Sequence, residues 1–158
     1  MKKGMIAVLS TMVGAAIGAG VEGKIESTET RRQKGLAGKH LNLYLLMNQW
    51  VRVKQENKSM AEYLEKQGYK EIAIYGMHYA GETLLNELAK TDVRVKYGID
   101  KAADSIYADI DVISPDDELE PVDAIIVTAI TFFDEIEEQL SKKISCPIIS
   151  LEDILYEM

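Results

Sequence analysis

Apolar residues recur along this chain with two different periods, and the switches between them mark out its elements. Ile72, Ala73, Ile74 and Tyr75 stand in an unbroken apolar row rich in β-favouring residues, the pattern of a strand covered on both faces. The row ends at Gly76. From Gly81 onward Leu84, Leu85 and Leu88 fall at helical spacing, with Glu82, Thr83, Asn86 and Glu87 between them. Strand, glycine turn and helix make the first half of a βαβ unit, and the rest of the domain is organised around it.

The same reading continues downstream. Val93, Val95 and Tyr97 alternate with Arg94 and Lys96, which predicts a half-exposed second strand ending at Asp100. Ile110 to Ser114 is a short third strand, and Ser114 then caps a single acidic helical turn over Pro115–Leu119. Val122 to Thr128 is nearly all apolar and predicts a buried fourth strand. Thr131 is placed to cap a helix over Phe132–Lys143, acidic at its start and basic at its end. Pro147–Ser150 is a fifth strand, and a closing helix starts at Ser150. Strands alternating with helices predict an α/β fold with a parallel five-stranded sheet in the order 3-2-1-4-5, Rossmann-like, with right-handed crossovers.

Ahead of the sheet, Leu43, Leu46, Met47, Trp50, Val51 and Val53 predict an amphipathic helix over 39–56 that packs on the domain or on a second copy. Ser59 and Glu62 form a capping box for a second helix, which Gly68 stops. Residues 22–38 are polar and interrupted by Gly23, Gly35 and Gly38, as a juxtamembrane linker or a frayed helical extension. Gly4 to Val21 carries no charge and has the length of a short membrane span. A cleaved signal would look similar. The excess of Lys24, Arg31, Arg32, Lys34 and Lys39 over Lys2 and Lys3 favours a retained anchor with the globular domain in the cytoplasm. The chain thus divides into an anchor at 1–21, a linker at 22–38, helices at 39–68 and a sheet domain at 69–158. Gly14 and Gly18 offer a seam for helix pairing in lipid.

Composition narrows the functions. A net charge of −8 over 158 residues leaves no basic face for nucleic acid. One cysteine, Cys146, permits no intrachain disulfide and no cysteine-based metal site, and it has the character of a small packed residue.

The candidate chemistry lies at the carboxyl ends of the central strands. Gly76 and Gly81 sit at the first and third glycine positions of G-x-G-x-x-G, while His78 holds the middle one. An imidazole there either contacts a phosphate or blocks it. The candidate cofactor-binding residues are Gly76, Met77, His78, Tyr79, Ala80 and Gly81 in this turn. Asp100 at the end of the second strand would accept from ribose hydroxyls, and Thr128 and Ala129 would line the opposite wall. The alternatives are glycines kept for tight packing and an aspartate that merely caps a turn. Tyr97 and Lys101 match Y-x-x-x-K, but in a strand that spacing does not stack the two side chains, so the match is chance.

Gly76 to Gly81, Tyr97-Gly-Ile-Asp100, Val122-Asp-Ala-Ile-Ile-Val-Thr128 and Ser150-Leu-Glu-Asp-Ile154 together resemble a small Rossmann-like domain of bacterial surface-polysaccharide contexts. Such domains are similar to the nucleotide-binding parts of nucleoside-diphosphate-sugar epimerases and dehydratases, and to the N-terminal domain of sugar acyltransferases. The resemblance covers Ser59 to Met158 and implies NAD or a nucleotide sugar as ligand. His78 departs from the glycine pattern, and no substrate domain follows. The expectation is a membrane-tethered nucleotide or nucleotide-sugar binding module without catalysis of its own. A ligand-free scaffold and an NAD-dependent epimerase-like enzyme are the alternatives.

Overall fold

The computed structural model describes residues 32–158. Two compact units divide the chain, Met1–Leu41 and Asn42–Met158. Of the first, residues 32–41 are described, and all are helical and exposed. Helix therefore passes through Gly35 and Gly38, at a cost of about 1 kcal/mol each relative to alanine. Residues 32–38 of the expected linker or helical extension are thus helical, and residues 22–31 lie outside the described residues.

The second unit opens with helix α1 (42–55), followed by α2 (Met60–Lys66), β1 (Glu71–Tyr75), α3 (Tyr79–Leu88) and β2 (Arg94–Ile99). Then come β3 (Val112–Ile113), β4 (Ala124–Val127), α4 (Phe133–Leu140), β5 (Ile148–Ser150) and α5 (Leu151–Glu157). All five strands are parallel, in the order β3-β2-β1-β4-β5. Ile72 lies beside Ala124 and Tyr75 beside Val127, so the two most continuously apolar runs are central neighbours.

Strand alternation explains how the core divides into two layers. Ile72, Ile74, Ala124 and Ile126 face one side, where α1, α2, α3 and α5 pack. Ala73, Tyr75, Ile125 and Val127 face the other, where Ile136 and Leu140 of α4 cover them. Each fully buried leucine or isoleucine contributes about 1.5–3 kcal/mol.

Helix α1 is fixed to the rest by directional bonds as well as burial. Leu46, Trp50 and Val53 enter the core, and Gln49 Nε2 donates to the Leu155 carbonyl at 3.0 Å. Glu87 on α3 accepts from Trp50 Nε1 at 2.7 Å, from Lys54 Nζ at 2.7 Å and from the Met60 N–H at 3.3 Å. One carboxylate thus joins three helices. The opposite face of α1 exposes Tyr44, Leu45 and Val51.

Several element ends differ from those the pattern predicts. Ser59 does cap α2, its Oγ accepting from the Glu62 N–H at 3.4 Å. Gly68 closes that helix at φ +84, with the Tyr69 N–H reaching the Leu64 carbonyl at 2.9 Å. Thr131 does not cap α4. It lies inside a 3-10 turn, Ile130–Phe132, and α4 ends at Leu140. The turn follows directly on the strand and leaves Thr131 exposed, away from the first free N–H groups. The second strand buries its last three residues, because β3 and α4 cover that end. Asp123, just before β4, accepts from the Lys70 and Glu71 N–H groups at 2.8 and 2.7 Å, and these bonds hold its carboxyl below the usual range.

Among the described residues no helix is long and apolar enough to cross a membrane. The Gly4–Val21 segment and its glycine seam lie outside the described residues.

Candidate functional site

The chain leaves β1 at Tyr75 and turns sharply at Gly76, whose φ of +94 is a conformation that side chains rarely adopt. A Cβ there would lie 2.7 Å from Thr128 Oγ1 and 3.2 Å from Ala129 Cβ. Gly81, the third residue of α3, comes so close to the turn that an added Cβ would lie 2.1 Å from the Gly76 carbonyl oxygen. The two glycines therefore serve one purpose, to let the first turn of α3 settle on the end of β1.

His78 precedes α3 with an extended backbone and makes no side-chain cap. The first bond within this turn runs from the Glu82 N–H to the His78 carbonyl at 2.8 Å. The N–H groups of Tyr79, Ala80 and Gly81 come before it and lie outside the helix's own ladder. His78 and Tyr79 are exposed beside them, Tyr79 at 75%. The helix dipole and N–H groups outside the helix's own ladder favour an anion at this spot, although Ala80 and Gly81 are buried.

The other predicted residues are arranged differently from a ligand-lined crevice. Met77 turns its side chain into the core, against the face where Gly98 has no Cβ; a Cβ on Gly98 would lie 2.8 Å from Met77 Cγ. The Met77 N–H donates to Asp100 Oδ2 at 2.9 Å, and the Ala102 N–H donates to Asp100 Oδ1 at 2.9 Å. Asp100 is buried and ties the glycine turn to the end of β2. Both its oxygens already have partners, so a ribose would have to share them. Thr128 Oγ1 donates to the Tyr75 and Gly76 carbonyls, and its N–H also reaches the Tyr75 carbonyl, at 2.9 Å. The two walls of the expected crevice meet in direct hydrogen bonds, and Ala129 is half-buried beside them. The structure thus brings Gly76, Asp100 and Thr128 into one bonded network against which Gly81 packs, with His78 and Tyr79 outside it and open to solvent.

Tyr75 was legible only as a strand residue. Its hydroxyl is buried at the end of β1 and has no hydrogen-bond partner among the described residues. Burial first, then the Asp100 and Asp116 carboxylates, pushes its pKa up. A tyrosine as the last residue of an otherwise aliphatic strand, directly before a glycine turn, was the available signal.

Tyr97 and Lys101 do not act together. Tyr97 is buried in β2 and its hydroxyl donates to the Glu120 carbonyl at 2.6 Å, while Lys101 is exposed past the strand. Burial pushes the Tyr97 phenol up to about 12. Cys146 packs against the α4-side core, and burial raises its thiol, the opposite of what a nucleophile needs. No group of His, Cys, Asp and Glu among the described residues could hold a metal.

Fold and turn together define an α/β protein whose parallel sheet reverses its strand order between β1 and β4, with a glycine turn and an open helix start at that point. The chain belongs to the family described as C2185-like, N-terminal, which it matches over residues 68–148. The match takes in the turn and nearly the whole sheet, and leaves out α1, α2 and α5. No curated protein and no solved structure matches the chain.

Proposed function

We propose that this protein is a Rossmann-like module that binds a nucleotide or nucleotide sugar and does no chemistry of its own. One observation carries this reading: the start of α3 without a side-chain cap, where the N–H groups of Tyr79, Ala80 and Gly81 precede the helix's own ladder and His78 is exposed beside them at the strand-order reversal. The diphosphate would lie over those donors, within reach of the His78 imidazole, and Thr128 and Ala129 would border it. Asp100 acts mainly by shaping the turn through Met77. The unpaired Tyr75 hydroxyl at the same end of the sheet adds support, since a buried polar group without a partner is rare away from sites. The likeness of the turn and strand motifs to nucleoside-diphosphate-sugar epimerase domains points to a role accessory to surface-polysaccharide biosynthesis.

The test is thermal shift and calorimetry on the full chain in detergent, with NAD, NADP, nucleotides, nucleotide sugars and coenzyme A. Binding is expected for a nucleotide diphosphate ligand. His78→Gly then weakens it if the imidazole is a contact, or tightens it if the imidazole obstructs. Asp100→Ala weakens binding by about 1.5–3 kcal/mol, the scale of hydrogen bonds to a charged group, acting through the released turn. Failure of both the wild type and His78→Gly to bind any of these ligands would end the nucleotide reading. The second reading, a scaffold, rests on the exposed apolar face of α1 at Tyr44, Leu45 and Val51, where a second copy would pack. Absence of ligand together with concentration-dependent dimerisation in the same preparation would select it.

The tether is part of the proposal. The uncharged Gly4–Val21 segment and the basic residues after it support an anchor with the domain in the cytoplasm. Protease added to intact cells is expected to leave the domain whole. A domain digested from outside, or a mature chain beginning near Gly20, would defeat this.

A further inference from the structure

On the side of the sheet covered by α2 and α5, a groove of about 460 Å³ opens between α2, β5 and α5. Its size is that of a small-ligand site. Tyr63, Gln67 and Tyr69 line one side, and Asp153, Tyr156 and Glu157 the other, with Ile149 of β5 on the floor. Three features give it a definite chemistry. Tyrosine dominates the lining, and Tyr156 is 62% exposed. Two carboxylates enter it, and no lysine or arginine does. The ion pairs of the described residues all lie elsewhere, on Glu56, Glu71, Glu87, Glu120 and Glu138, so among the described residues neither Asp153 nor Glu157 has a cation of its own.

The interior of the groove is partly organised already. The Tyr63 hydroxyl donates to Glu157 Oε2, which joins the end of α5 to α2. Burial and that carboxylate push the Tyr63 phenol up to about 12, so it stays a neutral donor. Asp153, exposed and without a hydrogen-bond or ion-pair partner among the described residues, is left as the free acceptor. An anion would find no cationic donor here. A cation would find a carboxylate to neutralise it and tyrosine rings beside it, whose faces attract cations.

We propose that this groove is a second binding site, which takes the head of a guanidinium or alkylammonium ligand. The charge sits between the Tyr69 and Tyr156 rings and the Asp153 carboxylate, while Glu157 remains engaged by Tyr63. The ligand is either a free amine such as a polyamine or the side chain of a basic residue on another protein; the recognition chemistry is the same. The proposal does not depend on nucleotide binding at the glycine turn.

Calorimetric titration of the full chain with arginine, spermidine and an arginine-bearing tripeptide tests it, with glutamate as control. The cations are expected to bind and glutamate not. Stronger binding of spermidine would assign the free amine, and stronger binding of the tripeptide the protein side chain. Asp153→Asn and Tyr156→Ala should each weaken the cation by about threefold to fivefold, as expected for exposed cation–π and ion-pair contacts. Both residues are exposed, so the unfolding midpoint should stay within the wild-type range. Glu135→Gln removes the same unit of charge from α4 and should change nothing. Absence of cation binding would overturn the proposal. So would equal weakening by Asp153→Asn and Glu135→Gln, which would mean attraction to the overall charge of −8 rather than a site.

Discussion

Replacing Gly81 with alanine is expected to destabilise the domain by about 3 kcal/mol or more, and valine should leave little folded protein. The added Cβ would lie 2.1 Å from the Gly76 carbonyl oxygen and 3.0 Å from its carbon. Neither partner can yield easily. The Gly76 carbonyl accepts from Thr128 Oγ1, the Gly76 N–H donates to the Ile99 carbonyl at 2.8 Å, and Met77 is tied to Asp100. Relief would need α3 to lift off the end of β1, pulling buried Leu84 and Leu88 out of the core. Urea denaturation of both variants measures the effect. Gly35→Ala is the control: its Cβ meets nothing, the residue is helical, and a gain of about 0.5–1 kcal/mol is expected. Wild-type stability in Gly81→Ala would mean that helix and turn do not pack as described.

Glu87→Ala should cost about 2–4 kcal/mol, more than truncating any other surface-facing acid of the described domain. The carboxylate satisfies the buried indole of Trp50 and the Met60 N–H at the start of α2, besides pairing with Lys54. Removing it strands the indole N–H inside the core, and an unpaired buried donor costs about 1–3 kcal/mol. The lysine contributes less. Its side chain is 47% exposed, and exposed pairs are worth about 0–1 kcal/mol, so Lys54→Met should be nearly neutral. If Lys54→Met matched Glu87→Ala in a denaturation series, the ion pair rather than the indole bond would be the tie between α1 and α3.

The order of the sheet was legible because strands buried on both faces must be apolar throughout, and only 72–75 and 124–127 are. Right-handed crossovers then leave few arrangements, and the one observed is the one expected. Element ends were less legible. Thr131 has the right chemistry to cap a helix, yet the chain makes a 3-10 turn there first. Glycines at 35 and 38 left a linker and a helical extension both open, and helix runs through both, since the propensity penalty is small beside the cooperativity of helix formation.

What the sequence by itself determined is the alternation of apolar rows and helical stripes, and with it the sheet, its order and the glycine turn at its carboxyl end. These follow from local periodicity and from backbone freedom at single residues, which neighbours in sequence reveal. Tertiary structure alone decided what the polar residues at that end do. Asp100 could accept from a ribose or from a backbone N–H, and only the approach of Met77, 23 positions away, chose the second. Thr128 could line a crevice or close it, and the bonds its Oγ1 donates to the Tyr75 and Gly76 carbonyls closed it. The groove between α2 and α5 likewise joins residues some ninety positions apart, Tyr63 and Glu157 among them. A polar side chain has several partners of equal chemical merit, so sequence states its capacity, and only packing selects the partner.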